Sequence, residues 1–318
     1  MSAPPLIVLG VRRSGTTLLR VILDRSPELA VSDESYFVPQ LADRHGSTVD
    51  VDDFVDDLRR LPTLSDWDVR VEAVRARLRP GMPLGDAVAA VYETYAESRG
   101  KTRWGDKTPM YMQHLPLLER LFPTALYVQL VRDGRDAALS FLAMPRGIVT
   151  EAWGHPRTAA GFACQWLTEV RAARGLGARV GDRYLEVRYE DLVREPRASV
   201  ERVSAFAGLG FEPAMLEYSS EVDVSEKPHQ QRLLQEPTPG VRDWRQDMAK
   251  EDVRVFEAVA GDLLAELDYE AGPSPSRTDR LRGRAALASY TARSAAWRAA
   301  GRAVRRSPLW RRRQPPLA

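Results

Sequence analysis

The stretch LGVRRSGTTLLRVIL, Leu9 to Leu23, carries the clearest information about the fold. Gly10 and Gly15 are separated by four residues, and Thr16 opens an apolar helical pattern. The run LIVLGV (Leu6–Val11) is almost entirely apolar and is typical of a buried strand. Strand, glycine loop and helix in this order form the context of the phosphate-binding P-loop, G-x-x-x-x-G-K-S/T. In this chain Thr16 stands where that motif has its lysine.

The loop keeps the part of a P-loop that binds an anion. Four residues at the turn into the helix can offer backbone N–H groups to a phosphate: Ser14, Gly15, Thr16 and Thr17. The missing lysine is the residue that reaches the β- and γ-phosphates of a nucleoside triphosphate beside Mg²⁺. With Arg12 and Arg13 in the loop instead, we predict a shorter phosphate chain and no requirement for a metal ion.

A second anion site is predicted at the end of a second strand, ALYVQLVRD (125–133). Arg132 ends this strand, and Ser140 follows about two turns along the next helix, so the two side chains could hold a separate phosphate. Asp133 could instead imitate the metal-binding strand end of a nucleotide hydrolase, but Arg132 beside it would compete with Mg²⁺ for the carboxylate. By itself the spacing of Arg132 and Ser140 is weak evidence for a phosphate site, and it becomes strong evidence in combination with the altered P-loop upstream.

Strands alternate with helical patterns along the chain. A third strand is predicted at YLEVRYEDL (184–192), and residues 48–100 are polar with helical spacing of apolar residues. This alternation predicts an α/β fold, with a P-loop-NTPase-like central parallel sheet flanked by helices on both faces.

A composition shift at GPSPS (272–276) predicts a domain over residues 1–271 and a basic tail over 272–318. The formal net charge is +2, yet residues 271–318 hold 12 arginines and one Asp, which leaves residues 1–270 at −9. Tyr290, Trp297 and Val304 recur every seven residues in the tail. The tail is therefore either a solvated arm, helical or disordered, or a basic amphipathic helix on an anionic membrane. No nucleic-acid partner is expected, since the acidic body would repel a phosphate backbone.

Cysteine content and apolar patterning indicate the compartment. Cys164 is the single cysteine, which excludes an internal disulfide, and no signal-peptide pattern opens the sequence. We expect a cytoplasmic protein that contacts the inner membrane surface if its tail binds lipid. His45, His155 and His229 have no metal-ligand spacing, and one cysteine cannot complete a zinc site.

Four ordered segments resemble one enzyme family. VRRSGTTLLRVILDRSPELAVSDES resembles the 5′-phosphosulfate-binding segment of sulfotransferases that use 3′-phosphoadenylyl sulfate (PAPS), and LYVQLVRDGRDAALS resembles their 3′-phosphate-binding segment. WGDKTP lies between them, and VRYEDLV follows. The resemblance covers about residues 5–270 and is nearest to the tyrosylprotein and bacterial carbohydrate branch. It implies transfer of a sulfuryl group from PAPS to a hydroxyl. PAPS has a 5′-phosphosulfate where ATP has a triphosphate, which accounts for Thr16 at the position of the P-loop lysine.

The resemblance also implies roles for individual residues. Glu34 in SDES is the expected general base, with Asp33 and His114 as alternatives, and Lys107 in WGDKTP is the expected cation at the breaking bond. The expected nucleotide contacts are Arg12, Arg13, Ser14, Gly15, Thr16, Thr17, Arg132, Ser140, Tyr189 and Arg242.

The late segment PTPGVRDWRQD departs from the family pattern. Related enzymes often carry a basic residue before the proline of this loop, whereas this chain has Glu236 before Pro237. Arg242 or Arg245 is expected either to replace the missing contact or to form a plain salt bridge.

Two other functions are compatible with parts of the sequence. A small-molecule kinase with a modified P-loop is disfavoured by the missing lysine. A non-catalytic nucleotide-binding interaction protein would explain the basic tail but not the joint presence of Glu34 and Lys107.

The acceptor stays open between carbohydrate, glycolipid, aromatic natural product and peptide tyrosine. Its pocket is expected from residues 35–100 and 145–165, with half of the candidate aromatic side chains serving the core instead: Tyr36, Phe37, Trp67, Trp104, Trp153 and Trp166.

Overall fold

A five-stranded parallel sheet forms the centre of the protein. The computed structural model describes residues 3–144, 156–218 and 242–306. In these ranges the strands follow the spatial order β2-β3-β1-β4-β5, and every pairing is parallel. The strands are β1 (Leu6–Leu9), β2 (Leu29–Val31), β3 (Arg103–Asp106), β4 (Leu126–Val131) and β5 (Tyr184–Arg188).

Helices connect the strands and continue to the end of the described chain. Those before β4 are α1 (Thr16–Asp24), α2 (Phe37–His45), α3 (Val51–Leu58), α4 (Pro62–Asp66), α5 (Val71–Arg75), α6 (Leu84–Ser98) and α7 (Leu115–Leu121). Those after β4 are α8 (Gly134–Leu142), α9 (Ala159–Val180), α10 (Tyr189–Arg194), α11 (Pro196–Ala207), α12 (Trp244–Asp247), α13 (Lys250–Glu266) and α14 (Arg277–Arg306). Short 3₁₀ turns lie at Pro109–Gln113, Gly181–Arg183 and Pro213–Leu216.

Both faces of the sheet are buried, because helices cover each face and the side chains of each strand point alternately to the two faces. In β1, Leu6 and Val8 pack with α1, α10 and α11. Ile7 and Leu9 face the opposite side and pack with α2, α6, α7 and α9. Because the strands are parallel, the loops that follow them meet at one edge of the sheet, where their side chains can form a common site.

The predicted α/β class and the parallel sheet are confirmed. The third predicted strand was too long, since β5 ends at Arg188 and Tyr189 begins α10. No local pattern marked β2 and β3, which have three and four residues and stand beside polar segments. They are strands because they pair into the buried sheet around β1.

The basic helix α14 begins at a capping box. Ser276 accepts a hydrogen bond from the Asp279 backbone N–H through Oγ at 3.1 Å, and Asp279 Oδ2 accepts from the Ser276 N–H at 3.0 Å. The first turns then pack on α13, where Arg254 pairs with Asp279 at 3.2 Å and Arg282 with Glu251 at 2.6 Å. The division of the chain at residue 272 stays a prediction. Within the described ranges, no helix combines the length and apolar character needed to cross a membrane.

Arg135 is a buried cation that joins α8 to α12 and α13. Its guanidinium bonds Asp133 Oδ2 at 2.7 Å and Glu257 Oε1 at 2.6 Å, and it lies 3.7 Å from the centroid of the Trp244 ring. The contacts hold the start of α8 against the segment that carries Arg242.

We expect Arg135→Met to lower the free energy of unfolding by about 3–5 kcal/mol, because it leaves two buried carboxylates without their partner. Urea titration measures the change. Arg245 provides a matched control, since it lies 4.9 Å from the same Trp244 ring but is exposed and pairs with Asp243 and Glu270. Arg245→Met should cost about 1 kcal/mol or less. Equal losses for the two variants would contradict this account.

Candidate active site

The glycine loop between β1 and α1 is shaped by close backbone contacts. A Cβ atom on Gly10 would lie 2.5 Å from Thr16 Cγ2 and 2.9 Å from the Leu130 carbonyl oxygen. A Cβ atom on Gly15 would lie 2.3 Å from the Tyr189 ring. Gly15 also has φ +89°, a left-handed conformation that disfavours other residues. Both glycines are therefore required by the packing of the loop.

The loop and the start of α1 form a site suited to an anion. Arg13 and Gly15 both have positive φ values, which are typical of anion-binding backbone turns. The Ser14 N–H, expected to face a phosphate, instead donates to the Val11 carbonyl at 3.1 Å. No described side chain caps α1, and its first turn carries no acidic residue. The Ser14 hydroxyl is buried and makes no hydrogen bond with any described residue. An uncapped helix start with an unsatisfied hydroxyl fits a bound phosphate group.

The two predicted phosphate-binding segments meet in one cluster. Arg13 Nε donates to Ser140 Oγ at 3.0 Å, and Arg132 Nη1 donates to the Arg13 carbonyl at 3.2 Å. The Arg132 guanidinium lies 4.6 Å from the centroid of the Tyr189 ring. Arg132 Nε is buried and makes no hydrogen bond within the ranges that the structure describes. Arg13 and Arg132, which are far apart in sequence, thus place two guanidinium groups in one cluster beside the glycine loop.

The expected base and cation are in contact. Lys107 Nζ lies 2.7 Å from Glu34 Oε1. Lys107 is 1% exposed and Glu34 is 29% exposed, so the carboxylate is the member of the pair that solvent or an acceptor can reach. Tyr36 donates its hydroxyl to the other carboxylate oxygen of Glu34. The pair forms because β2 and β3 are parallel neighbours whose following loops leave the same edge of the sheet.

A buried cluster of hydroxyl groups supports this pair and was not predicted. Asp106 Oδ2 accepts hydrogen bonds from Ser35 Oγ at 2.8 Å, Tyr92 OH at 3.0 Å and Thr108 Oγ1 at 3.2 Å. Burial raises the pKa of Asp106 to about 6, although these hydrogen bonds oppose the shift. The available signal was a carboxylate at a strand end next to the expected catalytic lysine, in WGDKTP.

A second buried carboxylate, Glu169 on α9, was also missed. Its Oε1 accepts from Gln165 Nε2 at 2.9 Å and from Gln113 Nε2 at 3.4 Å. Burial raises the pKa of Glu169 to about 7, and the hydrogen bonds from Gln165 and Gln113, together with the charge of Arg12 in the glycine loop, partly offset the shift. Because the pKa is higher in the folded state than in the unfolded one, folding is favoured by protonation, and this contribution is lost as pH rises from about 4.5 to 7.

Glu169→Gln should therefore become progressively more stable than the wild type as pH rises. We expect the difference in unfolding free energy between the two proteins to grow by about 2–3 kcal/mol from pH 5 to pH 8.5. The amide keeps an oxygen for the two glutamine donors and removes the buried negative charge. Urea titrations at four pH values measure the difference. A difference that does not change with pH would contradict the prediction.

Other predicted residues lie at or beside these clusters. Thr17 is the second residue of α1, and Arg12 is half-buried in the glycine loop. Asp33 pairs with Arg20 of α1 at 3.2 Å. His114 is half-buried at the start of α7.

The late segment is only partly described. Glu236 and Pro237 lie outside the described residues. Arg242 is half-buried two residues before α12, and its contact with the nucleotide stays a prediction. Arg245 forms salt bridges with Asp243 and Glu270, which was the second of its two expected roles.

Four of the aromatic side chains considered for the acceptor pocket are buried in the hydrophobic cores: Phe37, Trp67, Trp104 and Trp166. Trp166 also donates Nε1–H to the Arg132 carbonyl at 3.1 Å and so positions the end of β4. Tyr36 is half-buried beside Glu34, and Trp153 lies outside the described residues.

Asp133, the residue that could have imitated a metal ligand, is engaged in an ion pair. Both of its carboxylate oxygens bind Arg135. In the parts of the chain that the structure describes, no group of three or more His, Cys, Asp or Glu side chains is arranged to hold a metal ion.

Comparison with known proteins identifies the family. A sequence profile described as "Sulfotransferase family" matches residues 4–213, which include the glycine loop, the Glu34–Lys107 pair and Arg132. The chain belongs to the sulfotransferase family. The resemblance found in the four motifs is thereby confirmed, and the protein is a sulfotransferase enzyme. Family membership sets aside the kinase and the non-catalytic interpretations.

Two relatives and two solved structures describe the breadth of this similarity. The sulfotransferase is 29% identical over 322 residues to the nodulation protein NoeE of Sinorhizobium fredii, covering 91% of this chain and 73% of that protein. It is 23% identical over 273 residues to a putative protein-tyrosine sulfotransferase of Caenorhabditis briggsae, covering 83% and 89%.

Among solved structures, it matches the sulfotransferase domain of the Synechococcus PCC 7002 olefin synthase with a TM-score of 0.54 and 27% identity, covering 78% of this chain and 90% of that domain. It matches the sulfotransferase domain of the curacin biosynthetic pathway with a TM-score of 0.59 and 19% identity, covering 85% and 99%. At that identity the second match shows the fold alone.

Proposed function

We propose that this sulfotransferase moves the sulfuryl group of PAPS to a hydroxyl of its acceptor, with Glu34 as general base. The observation that carries the proposal is the 2.7 Å contact between Lys107 Nζ and Glu34 Oε1, at the same sheet edge as a glycine loop suited to an anion. The loop and α1 would bind the 5′-phosphosulfate. Arg132, Ser140 and Tyr189 would bind the 3′-phosphate side of the nucleotide.

Sulfuryl transfer requires three contributions, two from side chains and one from the backbone. Glu34 takes the proton of the acceptor hydroxyl while that oxygen attacks sulfur. Lys107 stabilises the negative charge that develops on the oxygen between sulfur and phosphorus as the bond breaks. The backbone N–H groups at the start of α1 stabilise the phosphate that leaves. Fixed positive groups perform the charge stabilisation, so the proposal includes no metal ion.

Calorimetry of the product nucleotide tests the donor. Adenosine 3′,5′-bisphosphate should bind tightly, with the same affinity in Mg²⁺ and in chelator, whereas ADP should bind at least about tenfold more weakly because it lacks the 3′-phosphate. Preference for ADP in Mg²⁺ would overturn the donor assignment. An Arg132→Met variant should lose most of the preference between the two nucleotides.

The acceptor class is proposed more broadly, as a hydroxyl of a carbohydrate, a glycolipid, an aromatic natural product or a tyrosine. Relatives of this chain carry the names protein-tyrosine sulfotransferase and carbohydrate sulfotransferase. A four-member acceptor panel separates the classes: a neutral oligosaccharide, a glycolipid, a simple phenol and a tyrosine-containing peptide. Transfer of ³⁵S from labelled PAPS to each acceptor is the measurement.

We also propose that α14, in the tail from residue 272, contacts an anionic membrane, which would place a cytoplasmic enzyme at the inner membrane surface. Leu281 is 66% exposed, and three exposed arginines lie around it at helical spacing: Arg277, Arg280 and Arg284. All three arginines are exposed, whereas Asp279 and Gly283 of the same helix are buried against α13.

Replacing these three arginines by glutamate is expected to remove most binding to phosphatidylglycerol vesicles, since each basic side chain near an anionic surface contributes about 1 kcal/mol. Phosphatidylcholine vesicles serve as the neutral control in a co-sedimentation assay. Binding of the triple variant at the wild-type level, or equal binding to both lipids, would contradict the membrane contact.

A further inference from the structure

One carboxylate oxygen of Asp106 accepts hydrogen bonds from three hydroxyl groups. Ser35, Tyr92 and Thr108 all donate to Oδ2, at 2.8, 3.0 and 3.2 Å. The other oxygen, Oδ1, is buried and accepts no hydrogen bond from the described part of the chain. Asp106 is 1% exposed, so the whole arrangement is closed to water. A buried carboxylate with this many donors is costly to assemble, which points to a role beyond packing.

Ser35 is held at each of its polar atoms. Its Oγ bonds Asp106 and also lies 2.6 Å from Tyr111 OH, and its N–H donates to Thr108 Oγ1 at 2.9 Å. Its carbonyl oxygen accepts from Thr63 Oγ1 at 3.3 Å. Residue 35 therefore has little freedom to move relative to β3 and the 3₁₀ turn after it.

The cluster spans both members of the proposed catalytic pair. Glu34 precedes Ser35 in the chain, and Lys107 follows Asp106. We propose that the Asp106 carboxylate, with the hydroxyl groups of Tyr92 and Tyr111, is the positioning unit that holds Glu34 and Lys107 in register for sulfuryl transfer. This inference rests on the proposed function, since it assigns a task only if Glu34 and Lys107 act on the donor and the acceptor.

The charge of Asp106 adds a second contribution. When Glu34 takes the acceptor's proton, it loses the negative charge that faces Lys107. Asp106 is the preceding residue in the chain and interacts electrostatically with Lys107, so a fixed opposite charge stays beside the buried ammonium. Burial raises the pKa of Asp106 to about 6, so the carboxylate form is favoured above that pH. The groups that face it are Tyr92 of α6, Tyr111 of the 3₁₀ turn, Ser35, Thr108 and Lys107.

Two substitutions test the unit, with a control on the same helix. Asp106→Asn and Tyr92→Phe should lower kcat by about a hundredfold and about tenfold, because small displacements of reacting groups are costly. The Kd of adenosine 3′,5′-bisphosphate should stay within about twofold for both. Tyr95 is another buried tyrosine of α6, and its hydroxyl is not part of the cluster. Tyr95→Phe should leave kcat unchanged, measured with the fastest acceptor of the four-member panel.

A double-mutant cycle separates positioning from general stability. If Asp106 acts by holding the Glu34–Lys107 pair, combining Asp106→Asn with Glu34→Gln should lower kcat by clearly less than the product of the two single effects, and the loss that Asp106→Asn still adds reports its contribution through Lys107. Multiplicative losses, or wild-type kcat in Tyr92→Phe, would overturn the positioning role. Near-wild-type kcat in Glu34→Gln alone would instead overturn the proposed function. Should Asp106→Asn fail to fold, Tyr92→Phe carries the same cycle.

Discussion

Glu34→Gln is expected to lower kcat for sulfuryl transfer by about a thousandfold while leaving nucleotide affinity unchanged. Glutamine has the same shape and keeps an oxygen that can accept the hydrogen bond from Lys107, 2.7 Å away in the wild type. It cannot take a proton from the acceptor. Initial rates with labelled PAPS give kcat, and calorimetry of adenosine 3′,5′-bisphosphate gives the affinity.

The neighbouring carboxylate supplies the matched control. Asp33 pairs with Arg20 of α1 at 3.2 Å and is the alternative base that the sequence left open. Asp33→Asn should keep kcat within about threefold of the wild type. A large loss for Asp33→Asn together with a small loss for Glu34→Gln would transfer the role of base to Asp33. Loss of nucleotide binding in Glu34→Gln would contradict both assignments.

Lys107→Met is expected to lower kcat by about a hundredfold to a thousandfold, the effect of removing one donor that stabilises developing charge. Methionine fills similar space in a position that is 1% exposed, so the change acts mainly on charge. Arginine should not restore the rate, because its larger planar head does not fit where a buried ammonium fits.

Lys101 is a control at the opposite end of the same strand. It precedes β3 and bonds the Leu29 carbonyl at 3.2 Å, near the start of β2. Lys101→Met should reduce stability by about 1 kcal/mol and leave kcat within about threefold. Comparable losses of kcat in both lysine variants would mean that Lys107 acts through the fold instead of at the reacting bond.

Local pattern was sufficient where a function depends on consecutive residues. The glycine loop needs Gly10 and Gly15 at fixed spacing between a strand and a helix, and this requirement is visible in the sequence. The same holds for the end of β4, where Arg132 follows an apolar run. Because parallel strands bring their carboxyl ends to one edge of the sheet, the proximity of these two segments could be expected from the sequence alone.

Contacts between distant residues were not visible in the sequence. Nothing near Tyr92 in the sequence indicates that its hydroxyl reaches Asp106, because the contact depends on how α6 packs across β3. Glu169 likewise resembles an ordinary polar position of α9 until its burial against Gln113 and Gln165 is seen.

The fold class, the glycine loop and the order of the four motifs follow from the amino-acid sequence, since each depends on short-range spacing. Tertiary packing was needed to bring Lys107 to Glu34, to bring Arg13 to Ser140 and to close Asp106 to water. The two residues of each pair are separated by many residues in the sequence, so strand order and helix packing set both their contact and the burial of Asp106. Pairing of β2 with β3 joined two short segments that no local pattern had distinguished, and the proposed catalytic pair stands at their ends.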